Sequence, residues 1–284
     1  MAYGDQLISS TIGAELYTNL LQEAIFTAQE QSVARNVVKT YMLGSNAGKT
    51  FQVPVYPTIA ANNIAEGTDL VDVALNPTSV NITLAELGVM TLVSDLMLES
   101  AAVDVAADVG YIMGQALAKK MDQQVMALFS SFSSSIGNDA TELVADTIFQ
   151  AAATLRSASV PGPYFGVFHP AAMYNLKKTL INNGAAIADL SETGNEALRS
   201  GIVGSIAGVT LVESTNVASV STDGFIGGVF APMAIGMAVG RDIRIEEERN
   251  ASLRAFELVG SMTVGQAVLK DTYGVAITSD GTIS

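Results

Sequence analysis

Few side chains in this chain could carry out chemistry. Its 284 residues include no cysteine and one histidine, which excludes thiolate nucleophiles, disulfides, cysteine-bound zinc and histidine clusters. His169 stands in Phe168-His169-Pro170, where an apolar strand should pass into a helix. A general base there needs an orienting partner and a nucleophile or metal, and no local motif supplies them, so His169 reads as structural. Gly44-Ser45-Asn46-Ala47-Gly48-Lys49-Thr50 approaches a phosphate loop. Its pattern is one residue shorter than G-x-x-x-x-G-K-[ST], however, and it leads from a helical arm into a strand instead of from strand to helix. It reads as a turn. Glu246-Glu247-Glu248 offers carboxylates to a divalent cation, but neighbouring strand positions face opposite sides and spoil an oxygen cage. These acids read as solvated or as ion-pair partners between subunits, with Arg241, Arg244, Arg249 and Arg254 as candidate mates. No nucleophile elbow, dinucleotide fingerprint or paired-carboxylate motif occurs elsewhere. The expectation is a protein without catalytic residues, cofactor or metal, and not an enzyme.

The charge balance points the same way. Fourteen Lys and Arg against 28 Asp and Glu leave a formal −14, so no basic stripe is available to neutralise phosphates and nucleic acid should not be gripped. Charged residues make up 15% and apolar ones 49%, against roughly 25% charged in ordinary soluble domains. Neighbouring subunits covering neutral surface explain the shortfall. Membrane insertion is the rival explanation. Ser157–Leu176 contains Pro161, Pro163 and Pro170, and Gly224–Gly240 is broken by Pro232 and several glycines, so neither makes a spanning helix of about 20 apolar residues. Met1–Asp5 lacks the basic and apolar regions of a signal peptide. An unprocessed, soluble protein made inside the cell is expected, of one large or two small domains.

The elements follow from periodicity. Residues 1–48 read as an extended or partly helical arm, with Leu16, Leu20, Leu21 and Ala24–Phe26 at helical spacing. From Thr50 to Pro57 the period becomes two, with Phe51, Val53 and Val55 on one face, and Pro54 and Pro57 argue for an edge strand. The return strand carries Val80, Ile82 and Leu84, which makes a projecting two-stranded ribbon whose acidic tip holds Glu66, Asp69 and Asp72. A long helix is expected from about Asp95 to Phe129, striped by Val105, Val109, Met113, Leu117, Met121, Val125 and Leu128. Ser130–Gly137 reads as a loop. A helix over Asp146–Ser157, capped by Asp146, then precedes a strand over Tyr164–Phe168 and a helix over Pro170–Leu180. Asn182–Ser205 reads as a glycine-rich loop, and strands over Gly208–Val212 and Phe225–Phe230 complete a small mixed α/β unit. After Ala238 a second hairpin turns through a polar tip, Glu247–Ser252, and Tyr273–Ile277 makes a last short strand.

This order of parts resembles the major capsid proteins of tailed double-stranded DNA phages, an α+β architecture of the Hong Kong 97 type. The resemblance is carried by Gln31-Ser32-Val33-Ala34 leading to Thr50-Phe51-Gln52-Val53-Pro54, and by Val93-Ser94-Asp95-Leu96-Met97-Leu98-Glu99-Ser100 running into the long helix. Gly201-Ile202-Val203-Gly204-Ser205-Ile206-Ala207-Gly208-Val209 followed by Glu213-Ser214 completes it. It implies an N-arm (1–49), an E-loop (50–92), a peripheral segment with the spine helix (93–139), an axial domain (140–235) and further peripheral strands (236–284). It also implies that Asp189–Arg199 faces a five- or six-fold axis and that Glu247–Ser252 lies near three-fold contacts. Candidate intersubunit contacts are Glu66, Asp69 and Asp72 on the E-loop, and Arg241, Arg244, Glu247, Glu248 and Arg249 on the second hairpin. The implied role is a virion shell of hexamers and pentamers, assembled in the host cytoplasm, enclosing double-stranded DNA without specific binding and without a membrane. No lysine or arginine lies between Thr50 and Thr91, so isopeptide cross-linking from an E-loop lysine is not expected. Because the chain opens directly on the arm, a separate scaffolding protein and a portal are the expected partners. An encapsulin-like compartment shell is the nearest alternative, and a small-molecule enzyme built around His169 a remoter one.

Overall fold

A computed structural model describes residues 32–44, 48–57, 59, 61, 63, 66, 67, 69, 72, 74–100, 105–182 and 204–283. The expectations for residues 1–31, for Asp189–Arg199 and for the centre of the Gly44–Thr50 turn lie outside these residues.

Two sheets organise the chain. The first has strand order β1-β10-β11-β4, formed by β1 (Lys39–Met42), β4 (Ala85–Ser94), β10 (Ile235–Asn250) and β11 (Ala255–Val268). β1 runs parallel to β10, and the other pairs are antiparallel. The chain reaches β1 through a single helical turn, α1 (Ala34–Val37), and leaves β4 into α2 (Asp95–Ser100) and the long α3 (Val105–Ala127). Met113, Leu117, Met121 and Val125 of α3 are all buried, with Val109 and Leu128 partly so. They meet Leu87 and Val93 of β4 and Leu258, Met262 and Val264 of β11 in one core. From Val109 onward the expected stripe is therefore the face by which the spine helix packs on the sheet.

The second sheet has order β5-β12-β9-β6-β8-β7. Its strands are β5 (Ser134–Glu142), β6 (Tyr164–Phe168), β7 (Ser205–Ile206), β8 (Val209–Glu213), β9 (Gly224–Phe230) and β12 (Gly274–Asp280). Helices α4 (Ala145–Ser157) and α5 (Pro170–Asn182) supply Ile148, Leu155, Met173 and Leu176 to its own core, with Phe168 and Ile277 beneath. Its opposite face joins the first core through Phe230, whose ring centroid lies 5.2 Å from that of Phe129 at the end of the spine. Ala207 and Gly208, both at positive φ, make the two-residue turn between β7 and β8, a geometry that suits the twist of a hairpin.

A two-stranded ribbon of β2 (Thr50–Val55) and β3 (Thr78–Thr83) stands apart from both sheets. Phe51 pairs with Ile82 and Val53 with Val80, while Pro54 sits opposite Ser79, where its missing donor costs no ladder bond to a further strand. The ribbon's root is a separate small core of Val53, Ile82, Leu84 and Ala238. A side chain at Gly265 of β11 would run into the Thr83 carbonyl, so glycine lets the ribbon cross the sheet at close range.

Three expectations require correction. Residues 134–137 are the start of an edge strand and not loop, because the parallel partner β12 supplies the backbone hydrogen bonds, with Ser134 and Ile136 turned partly inward and Ile136 their one apolar contact with the core. Asp146 does not cap α4. The helix begins at Ala145 with Val144 at the cap position and no side-chain cap, and Asp146 lies in the first turn, where a carboxylate still favours the helix dipole. The tip of the second hairpin is residues 251–254. β10 continues through Glu247 and Glu248 to Asn250, whose side-chain oxygen accepts from the Leu253 N–H and the Ser252 hydroxyl and so sets the turn. The six-stranded sheet also draws β5 and β12 from the segments read as peripheral.

Candidate intersubunit surfaces

The far end of the first sheet concentrates exposed apolar surface. Along β4, Leu87 and Val93 are buried toward the spine, whereas Met90 is 57% exposed and Leu92 49%. Leu96 and Met97 of α2 and Leu253 of the turn are also exposed. β4 is the last strand of its sheet, so its outer edge takes no partner strand among the described residues. A ten-residue edge without proline or lysine is unprotected.

The charges around this end are arranged unevenly. Arg249 grips Asp95 with both nitrogens, at 2.9 and 2.6 Å, and lies 4.8 Å above the Phe256 ring. Arg241 reaches Glu86 at 2.5 Å, and Arg244 reaches Glu246 at 2.7 Å. Three of the arginines assigned to neighbours are thus engaged within the chain. Such exposed pairs are worth about 0–1 kcal/mol each and exchange partners readily. Glu247, Glu248 and Arg254 have no ion-pair partner among the described residues. Glu248 directly faces Glu257 across the ladder, an unfavourable like-charge pairing. Glu66, Asp69 and Asp72 are exposed on the ribbon's distal segment, far along the chain from the sheet charges and not brought together with them.

The sites that might have carried chemistry are accounted for otherwise. The His169 ring stacks on Phe225 with centroids 3.7 Å apart and planes within 3°, and its Nδ1 accepts the Ala171 N–H at 3.2 Å, capping α5. Burial holds its pKa below the ordinary 6.5. No group of three or more metal-ligating side chains occurs among the described residues. No helix among them is long and apolar enough to cross a membrane.

One residue escaped sequence reasoning. Asp122 on the spine is 1% exposed, the one buried charged residue among those described. Its Oδ1 accepts the Ser32 hydroxyl at 2.8 Å and the Ala34 N–H at 3.1 Å, and its Oδ2 accepts the Val33 N–H at 3.0 Å. Burial pushes its pKa up, opposed by these bonds and by one from the Asn216 side chain. The signal was present in the spacing, since Asp122 shares a helix face with the buried Ala118, Val125 and Phe129. Beside it opens a cleft of about 420 Å³ whose lining includes Gln115, Lys119, Glu213 and Thr215.

A spine helix over a four-stranded sheet, a six-stranded mixed sheet beyond it and a projecting ribbon together define a capsid shell protein of the Hong Kong 97-type fold. The chain belongs to the phage capsid protein family, whose profile matches residues 77–278. Among solved structures, one from Mycobacterium phage Che8 is 20% identical, with a TM-score of 0.69 over 87% of this chain and 91% of that one. The capsid of cyanophage P-SCSP1u is likewise 20% identical, with a TM-score of 0.69 over 88% and 89%. A virus-like particle from Pyrococcus furiosus is 14% identical, with a TM-score of 0.60 over 93% and 98%. At these identities the likeness is one of fold. No curated protein sequence matches the chain.

Proposed function

We propose that this chain is the major capsid protein of a tailed phage, self-assembling into the hexamers and pentamers of an icosahedral head that encloses double-stranded DNA. The family match across both sheets carries the reading. The exposed Met90, Leu92 and Leu253 beside an open strand edge support it, because a lone subunit gains nothing by leaving them in water. The role is structural. The acidic balance of −14 suits a wall that holds DNA without gripping it. With the reading goes the division into N-arm (1–49), E-loop (50–92), peripheral segment with spine (93–139), axial domain (140–235) and peripheral strands (236–284), with β5 and β12 counted structurally with the axial sheet. Glu66, Asp69 and Asp72, together with Arg241, Arg244, Glu247, Glu248 and Arg249, are assigned to contacts between subunits. A separate scaffolding protein and a portal are the expected partners, with assembly in the host cytoplasm.

Electron microscopy of the purified protein tests the proposal directly. Closed shells with five-fold vertices are expected, and a protein that stays monomeric under every salt and scaffold condition would falsify it. DNA-filled particles from infected cells separate a phage head from an encapsulin-like compartment, which would hold an enzyme instead.

A further inference from the structure

Asp122 does more than fill a core position. It holds the point where the chain enters the described fold through polar bonds, beside the apolar packing of Ala34, Val37 and Val38 in the main core. Ser32, itself 1% exposed, donates its hydroxyl to Asp122 and accepts the Arg35 N–H at 3.4 Å. The backbone donors of Val33 and Ala34 end on the same carboxylate. Asn216, from the loop after β8, lines the same cleft as Asp122, so the carboxylate sits where the arm root, the spine and the second sheet meet. None of these three donors carries a charge, and the carboxylate makes no ion pair among the described residues.

The surrounding charges divide into engaged and free. Arg35 on α1 is committed to Asp242 at 3.1 Å. Glu213 at the end of β8 is committed to Lys177 of α5 at 2.6 Å. Lys119 stands one turn before Asp122 on the spine and lines the same cleft, and it has no ion-pair partner among the described residues. Residues three apart on a helix are neighbours on its surface, so Lys119 reaches the Asp122 carboxylate once the arm donors leave. The cleft admits the water needed to solvate the carboxylate at that moment, because it is polar and far larger than one water molecule.

We propose that Asp122 is a two-position latch: it binds the arm root through Ser32, Val33 and Ala34 in one state, and pairs with Lys119 across the hydrated cleft in the other. With Val37 and Val38 kept in the core and β1 kept on β10, both positions leave the spine and the two sheets folded, so residues 32–34 are released without unfolding their support. The latch is a property of the single chain and stands whether or not that chain closes shells.

Hydrogen exchange of the Val33 and Ala34 amides in the whole 284-residue chain reads the latch directly, because both amides end on Asp122. Ser32→Ala should speed their exchange by about 10- to 150-fold, the effect of losing one hydrogen bond to a charged group. Lys119→Met should slow it by about twofold, because the open state loses its ion pair. Amides in β12 should be unaffected by either variant. Unchanged exchange in Ser32→Ala overturns the latch, as does equal acceleration in β12, which would signal global unfolding. Unchanged or faster exchange in Lys119→Met overturns the second position.

Discussion

His169 shows how one side chain can look catalytic in a sequence and be structural in the fold. Its Nδ1 caps α5 only while it is an acceptor, which requires the neutral ring, and no carboxylate pairs with it among the described residues. The folded pKa lies below the ordinary 6.5, so between the two values the unfolded chain binds the extra proton more readily. Its stabilising contribution is complete above pH 6.5 and is lost as pH falls from there toward the folded value. Asparagine also caps helices but does not titrate. The drop in Tm between pH 7 and pH 5 is therefore expected to be smaller in His169→Asn than in the parent, and calorimetry at the two pH values measures it. Equal drops would mean that other groups govern the acid sensitivity.

At the scale of elements, the ribbon depends on very little. Its root is a cluster of four buried side chains, with Ile82 fully enclosed. Ile82→Ala should cost about 2–5 kcal/mol, and the loss should fall on docking of the ribbon. Limited proteolysis within residues 56–77 is expected to accelerate well before the spine and sheets melt. Unchanged cleavage would show that the hairpin ladder alone holds the ribbon in place.

Elements of this kind were legible to differing degrees. The ribbon, the spine stripe and the Tyr164–Phe168 strand were all readable, because each carries a periodic apolar face that its own packing demands. β5 was not, since an edge strand held by its partner's backbone needs no apolar pattern of its own. The start of β12 was legible to within one residue, Tyr273 against the observed Gly274, but its extent through Asp280 was not, because Thr278, Ser279 and Asp280 are polar residues placed by β9 and β5. Asp122 was hidden for a related reason. Its hydrogen-bond donors lie about 90 residues away, and only the folded chain brings Ser32 to the spine. The arginine partners of the second hairpin were only half legible. Their charge was plain, but whether Arg249 meets Asp95 or another subunit depends on strand register.

For the whole molecule, the charges decide how readily copies approach each other. Each chain carries −14, and most of the arginines at the sheet's far end are already engaged within the chain. Assembly should therefore speed up with ionic strength, since screening shortens from about 10 Å at 0.1 M to about 3 Å at 1 M. Light scattering during assembly follows this directly, and a flat response would show that subunit contacts already pair their charges.

The small core beneath the ribbon has a mechanical meaning. Six residues per strand at about 3.3 Å each give a stiff arm of roughly 20 Å, pivoting where Thr83 crosses Gly265. A tilt of about five degrees at that pivot moves the far end by nearly 2 Å, on the order of half a side chain's width. A chain built this way has the form of a lever with its fulcrum on the sheet, and under the function proposed above a slight rocking at Gly265 is the adjustment that would let identical chains fit both flatter and more sharply curved parts of a closed surface.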